Sequence, residues 1–215
     1  GFGVYANESK ETWKSFIRDL KARGLRNVLM ITSDAHEGLC DAISKEFPQA
    51  AWQRCQFHFS KNIAEKAPKK YQAGIRSELS EMFNCTTIEE ARRKRDSIIA
   101  DYQDVAESAM TCLDEGFESS MTAMILPKYL RQYFRTSNHI ERINRELKRR
   151  SKVIGVFPNE ASILRLMGSV LMELNDTAQA RKALFSPKTY NNLMSAEVKS
   201  KLIILANEQH LLRVS

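Results

Sequence analysis

Hydrophobic positions in the first part of the chain switch between two periods. In residues 11–23, Trp13, Phe16, Ile17 and Leu20 recur at helical spacing, and Gly24 follows as a stop signal. Residues 27–33 (NVLMITS) are a short apolar, partly β-branched run, which favours a buried strand. Helical spacing returns in residues 36–47 with Leu39, Ala42, Ile43 and Phe47 on one face, and Pro48 ends it. Residues 50–55 (AAWQRC) read as another strand, and residues 1–5 as the end of an earlier one. That alternation argues for an α/β layer with parallel strands.

Beyond residue 55 the pattern is helical only. Ile75, Leu79, Met82 and Phe83 form one stripe, and Ile98, Ile99, Tyr102, Val105 and Ala106 another. Thr86-Thr87 reads as a turn with an N-cap for a helix over residues 88–104. Residues 129–150 predict one or two helices, in which Ile140, Ile143 and Leu147 form a buried stripe. Pro158 breaks the chain, residues 161–176 predict a helix, and residues 194–212 a weaker helical region. The expected organisation is an α/β core over residues 1–55, an all-helical insertion over 56–128, a return to the core over 129–176, and a helical C-terminal region over 177–215.

Length, 215 residues, suits one compact domain or one carrying an insertion. With 43% apolar and 27% charged residues, a disordered chain is excluded. No run approaches the roughly 20 apolar residues of a membrane span, so no membrane partner is expected. The N-terminus shows no signal-peptide pattern, and the missing initiator Met suggests a fragment or processed product. Four scattered Cys are not a disulfide framework, so a reducing cytoplasm is the expected compartment.

The net charge of +7 is unevenly distributed. Arg131, Arg135, Arg142, Arg145, Lys148, Arg149, Arg150 and Lys152 face only Glu141 and Glu146 within one stretch. Such a stripe fits a phosphate backbone or, alternatively, a solvated helix face. The clusters at residues 66–70 and 92–95 read as solvated faces.

Two acids are candidates for chemistry. Asp34 lies between a strand and a helix, where ligands gather in open α/β sheets. It could instead cap that helix, with Glu37 completing a capping box. Glu141 lies in Thr136-Ser137-Asn138-His139-Ile140-Glu141-Arg142-Ile143-Asn144. There it could answer an Asn138 cap, pair with Arg145 at i,i+4, or hold a metal. Cys55-x-x-His58 supplies two of the four ligands of a structural zinc site, and otherwise reads as buried structure or as a contact near an active site. Trp52 reads as core, with stacking on a base as the alternative.

Four segments together resemble the catalytic region of Mutator-like transposases, the bacterial IS256 family. They are Leu29-Met30-Ile31-Thr32-Ser33-Asp34-Ala35-His36-Glu37-Gly38-Leu39, Phe47-Pro48 through Trp52-Gln53-Arg54-Cys55-Gln56-Phe57-His58, residues 135–150 around Asn138-His139-Ile140-Glu141-Arg142-Ile143-Asn144, and Gly155-Val156-Phe157-Pro158-Asn159. The resemblance implies a DDE recombinase with an RNase H-like core and a helical insertion between the second Asp and the Glu. It implies that Asp34 is the second catalytic Asp and Glu141 the catalytic Glu, both binding Mg2+ or Mn2+, and that Cys55 and His58 are the family signature. It further implies that Arg142, Arg145, Lys148, Arg149 and Arg150 contact DNA, with Asn138 and Asn144 orienting the Glu or touching the backbone. The family's first Asp is expected upstream of Gly1. The implied activity is cleavage and strand transfer at transposon ends into target DNA, by a homodimer or larger assembly on the bacterial nucleoid. A hydrolytic RNase H-like nuclease and a non-catalytic DNA-binding or regulatory derivative are the alternatives.

Overall fold

The computed structural model describes residues 2–5, 7–180 and 185–214. Among them, two short parallel strands are surrounded by helices. Helix α1 (Lys10–Ala22) opens with a capping box in which the Ser9 hydroxyl accepts from the Thr12 amide and the Thr12 hydroxyl accepts from the Ser9 amide. Strand β1 (Met30–Ser33) follows, then α2 (Glu37–Glu46) and β2 (Ala51–Arg54). β1 and β2 run parallel with Met30 opposite Ala51 and Ser33 opposite Arg54. β1 is shorter than the sequence run that contains it. β2 offers four residues to pair with, and Asn27 takes a left-handed φ of 55° that breaks the extended run. Residues 2–5 are not a strand, since the described sheet contains β1 and β2 alone and a strand exists only where a neighbour completes its ladder. Gly1 lies outside the described residues.

The two faces of the sheet explain the alternation along β2. Trp52 packs with Ile17, Ala42, Ile43, Phe47 and Ala50, a core closed by α1 and α2. Ala51, on the opposite face, packs with Leu126, Val198, Leu202 and Ala206.

After β2 the chain is helical: α3 (Gln56–Lys66), α4 (Lys69–Asn84), α5 (Ile88–Tyr102), α6 (Glu107–Ser120), a 3-10 turn (Thr122–Ile125), α7 (Lys128–Phe134) and α8 (Asn138–Ile154). The expected Thr87 N-cap is present, its hydroxyl accepting from the Glu90 amide. α3 to α6 enclose their own core of Phe59, Ile63, Ile75, Leu79, Met82, Ile98, Leu113 and Phe117. Val105, placed on that stripe by periodicity, is exposed, because α5 ends at Tyr102 and the helical period stops with it.

α9 (Glu160–Gln179) begins at an Asn159 N-cap. α10 (Pro187–Leu193), which hydrophobic spacing does not signal, begins with Ser186 as N-cap and Pro187 in the first turn. α11 (Ala196–Val214) lies along β2. No described helix is long and apolar enough to cross a membrane.

One expectation fails at α8. Ile140 is 59% and Ile143 37% exposed, Leu147 is half-buried, and none of the residues of α8 whose side chains are described is buried. The helix is strongly amphipathic, yet within this chain its apolar face meets little beyond α9.

Candidate functional site

Asp34 is the first residue beyond β1, and its main chain is held firmly. The Trp52 indole N–H donates to the Ser33 hydroxyl at 2.9 Å, and that hydroxyl donates to the Asp34 carbonyl at 2.7 Å. The carboxylate is left comparatively free. Its one hydrogen bond among the described residues comes from the His36 amide, 3.5 Å from Oδ1, at the limit of such a bond. His36, not Asp34, occupies the N-cap of α2, and no side-chain cap bond forms there. The capping role open to Asp34 is therefore not the one it takes.

Cys55 follows β2 as Asp34 follows β1. The ladder extends one step, since the Cys55 amide donates to the Ser33 carbonyl at 2.7 Å. Asp34 and Cys55 are thus the residues that follow the last paired positions, Ser33 and Arg54. Cys55 is the N-cap of α3 and is fully buried, and His58 lies one turn on, on the same helix face.

Glu141 arrives from far along the chain. The end of α7 is tied to β1 and to the start of α3: the Thr32 hydroxyl donates to the Phe134 carbonyl at 2.6 Å, and the Gln56 amide donates to the Arg135 carbonyl at 3.0 Å. Ser137 is the N-cap of α8, in the place expected for Asn138. Its hydroxyl makes no cap bond. It donates to Glu141 Oε1 at 2.7 Å and lies 3.3 Å from Cys55 Sγ. His58 Nε2 stands 3.9 Å from Glu141 Oε1. Ligand atoms of Cys55, His58 and Glu141 all lie within 4.8 Å of one another. Glu141 forms no ion pair with Arg145 among the described residues. Ser137 had no role in the sequence reading. Its only sequence signal is a hydroxyl one turn before the acid.

The basic stretch divides by partner. Arg131 donates to the carbonyls of Leu126, Thr86 and Met124, and burial lowers its pKa. Arg135 donates to the Phe83 carbonyl and to Asn84 Oδ1. Both fasten α7 to the helical block and are not a free cationic surface. On α8, Arg149 and Arg150 are held by Glu146, whose carboxyl is lowered to about 2 by hydrogen bonds from these two arginines. Arg142, Arg145 and Lys148 are exposed and form no ion pair among the described residues, and Asn138 and Asn144 are exposed beside them.

The donor chemistry suits two kinds of cation. Asp34 at the end of β1 and Glu141 in the first turn of α8 carry hard carboxylate oxygens of the kind that suit Mg2+ or Mn2+, and Asp34 is not among the residues whose ligand atoms cluster within 4.8 Å. Cys55 and His58 add softer sulfur and nitrogen donors.

A family model described as "Transposase, Mutator family" matches residues 1–180. The transposase for insertion sequence element IS256 in transposon Tn4001 of Staphylococcus aureus is 39% identical over 194 residues, covering 89% of this chain and 48% of that protein. The transposase for IS1081 of Mycobacterium tuberculosis is 36% identical over 176 residues, 82% of this chain and 42% of its own. That for IS406 of Burkholderia multivorans is 36% identical over 181 residues, 82% and 46% respectively. The chain thus spans about half the length of the curated relatives it matches.

Proposed function

Because this chain belongs to the Mutator family of transposases, we propose that it carries part of the catalytic centre of a DNA transposase, with Asp34 and Glu141 as the carboxylates that hold divalent cations at a DNA phosphodiester. The observation that carries this reading is the meeting of α8 with the end of β2. Glu141, far from Asp34 in sequence, accepts from the Ser137 hydroxyl, which also lies against Cys55, the first residue after β2 as Asp34 is the first after β1.

Bound Mg2+ or Mn2+ would supply Lewis-acid stabilisation and alignment for in-line phosphoryl transfer. The protein's own contribution is rigidity and charge. Ser33 fixes the Asp34 backbone while leaving its carboxylate available. Ser137 orients Glu141 through one oxygen and leaves the other for a ligand. Arg142, Arg145 and Lys148 line the exposed side of α8 and offset phosphate charge, with Arg149 and Arg150 joining when DNA competes with Glu146. Asn138 and Asn144 contact the DNA backbone. In this reading the parallel pair β1–β2 belongs to an RNase H-like core, and a third acid completes the carboxylate set. Cleavage and joining of two transposon ends to a target requires at least two copies on DNA.

The test is strand transfer of pre-cleaved transposon ends by the purified protein with Mg2+ or Mn2+, beside a DNA-binding measurement. Asp34→Asn and Glu141→Gln are expected to bind DNA normally and to lose strand transfer by more than about 100-fold. Unchanged transfer in either variant overturns the assignment. Hydrolysis without joining in the wild type identifies a nuclease, and binding with neither reaction identifies a regulatory DNA-binding protein.

A further inference from the structure

The cluster at the end of β2 holds more donor types than a carboxylate pair for Mg2+ requires. Cys55 contributes a thiol, His58 an imidazole and Glu141 a carboxylate, and their ligand atoms lie within 4.8 Å of one another. Around tetrahedral zinc, bonds of about 2.0–2.3 Å put such atoms roughly 3.3–3.6 Å apart. Closing the difference takes small side-chain rotations. The nearest measured pair, His58 Nε2 and Glu141 Oε1, already stands at 3.9 Å.

Three further features favour a bound ion over a chance meeting. Cys55 is fully buried, and its sulfur faces both the amide and the hydroxyl of Ser137, at 3.4 and 3.3 Å. His58 Nδ1 is buried without a hydrogen-bond partner among the described residues. Ser137 reaches two of the three ligands, 3.3 Å from Cys55 Sγ and 2.7 Å from Glu141 Oε1, as an outer hydroxyl does when it orients metal ligands.

The geometry points to a zinc site formed by Cys55, His58 and Glu141, with a fourth position open to water or to a DNA phosphate oxygen. Loading releases the Cys55 thiol proton to solvent as the thiolate–metal bond forms. Three protein ligands and one open position is the pattern of catalytic zinc sites, whereas closed structural sites use four. The site shares Glu141 with the proposed catalytic centre but does not depend on that reading, because Asp34 takes no part in it.

Co2+ and Zn2+ binding to the purified chain tests the proposal. Co2+ is expected to give a thiolate-to-cobalt charge-transfer band together with the intense visible bands of a tetrahedral ion, and Zn2+ to displace both. Cys55→Ser is expected to remove the charge-transfer band. His58→Ala and Glu141→Gln are expected to weaken Zn2+ binding at least about tenfold against a competing chelator. Asp34→Asn and Cys85→Ser are expected to leave the spectrum unchanged. Absence of the charge-transfer band in the wild type, or its persistence in Cys55→Ser, overturns the site. Should Cys55→Ser fail to fold, His58→Ala decides: it alters a side chain one-third exposed, and unchanged Zn2+ affinity overturns the proposal. Loss of strand transfer in Asp34→Asn with its cobalt spectrum intact separates this site from the proposed catalytic centre.

Discussion

The side chain of Gln209 pairs with the main chain of Trp52 as a neighbouring strand would. Its Oε1 accepts from the Trp52 amide at 2.7 Å, and its Nε2 donates to the Trp52 carbonyl at 2.9 Å and to the Thr122 hydroxyl at 3.1 Å. One residue of α11 thereby bonds to the outer edge of the sheet, where the Trp52 carbonyl also accepts from the Thr122 hydroxyl at 2.8 Å. Gln209→Leu removes the three hydrogen bonds of the Gln209 amide and is expected to cost about 1–3 kcal/mol in urea unfolding. A change below experimental error would show that water replaces the amide without loss.

Thr32 ties β1 to the end of α7 through its bond to the Phe134 carbonyl. Thr32→Val keeps the branched shape and removes the donor. The expected loss is about 1 kcal/mol of stability, measured by the denaturation midpoint. In the reading that places Glu141 at the catalytic centre, strand transfer falls further than DNA binding does.

Gly116 lies where α6 crosses α3. A Cβ at this position would run into the Phe59 ring and the Arg54 guanidinium, and that guanidinium itself stacks 4.6 Å from the centre of the ring. Gly116→Ala would gain up to about 1 kcal/mol of helix propensity. Overpacking of about 1–3 kcal/mol opposes it. Net destabilisation is expected, read as a lower melting temperature.

Glu46 links α2 to α1 through Arg18 at 2.7 Å and Lys21 at 3.2 Å. Burial raises its pKa, but hydrogen bonds from the two cations outweigh burial and set it below the ordinary 4.5. A lowered pKa stabilises the fold above the unfolded value, and the gain disappears as pH falls through the folded one. Stability should therefore decline below pH 4.5, and Glu46→Gln should flatten that limb of the pH profile while lowering stability at neutral pH.

Glu146 holds two of the arginines expected at DNA. Glu146→Gln releases Arg149 and leaves Arg150 with Glu173 alone, at 3.5 Å. DNA binding should tighten, and the slope of log affinity against log salt should steepen by up to about 2, roughly 0.9 for each added phosphate contact. An unchanged slope would show that Arg149 and Arg150 do not reach the backbone.

Much of this molecule is legible from the order of its residues. Helices α1, α2, α4 and α5, the two strands, the Thr87 cap and the break at Pro158 each follow from a pattern within one or two turns of chain. Family membership follows from four short segments, and the model match over residues 1–180 bears it out. Tertiary contacts decided what those residues touch. They took Arg131 and Arg135 out of the cationic stripe, because a guanidinium near unsatisfied carbonyls staples them together. They left Ile140 and Ile143 exposed, since amphipathic spacing specifies a face and not what covers it. They also joined Cys55, His58, Ser137 and Glu141, which no local period relates. Spacing along a helix or strand is set by the backbone's own geometry. The meeting of two strand ends with a distant helix is set by which buried groups find partners across the core, and that is settled only when the whole chain packs.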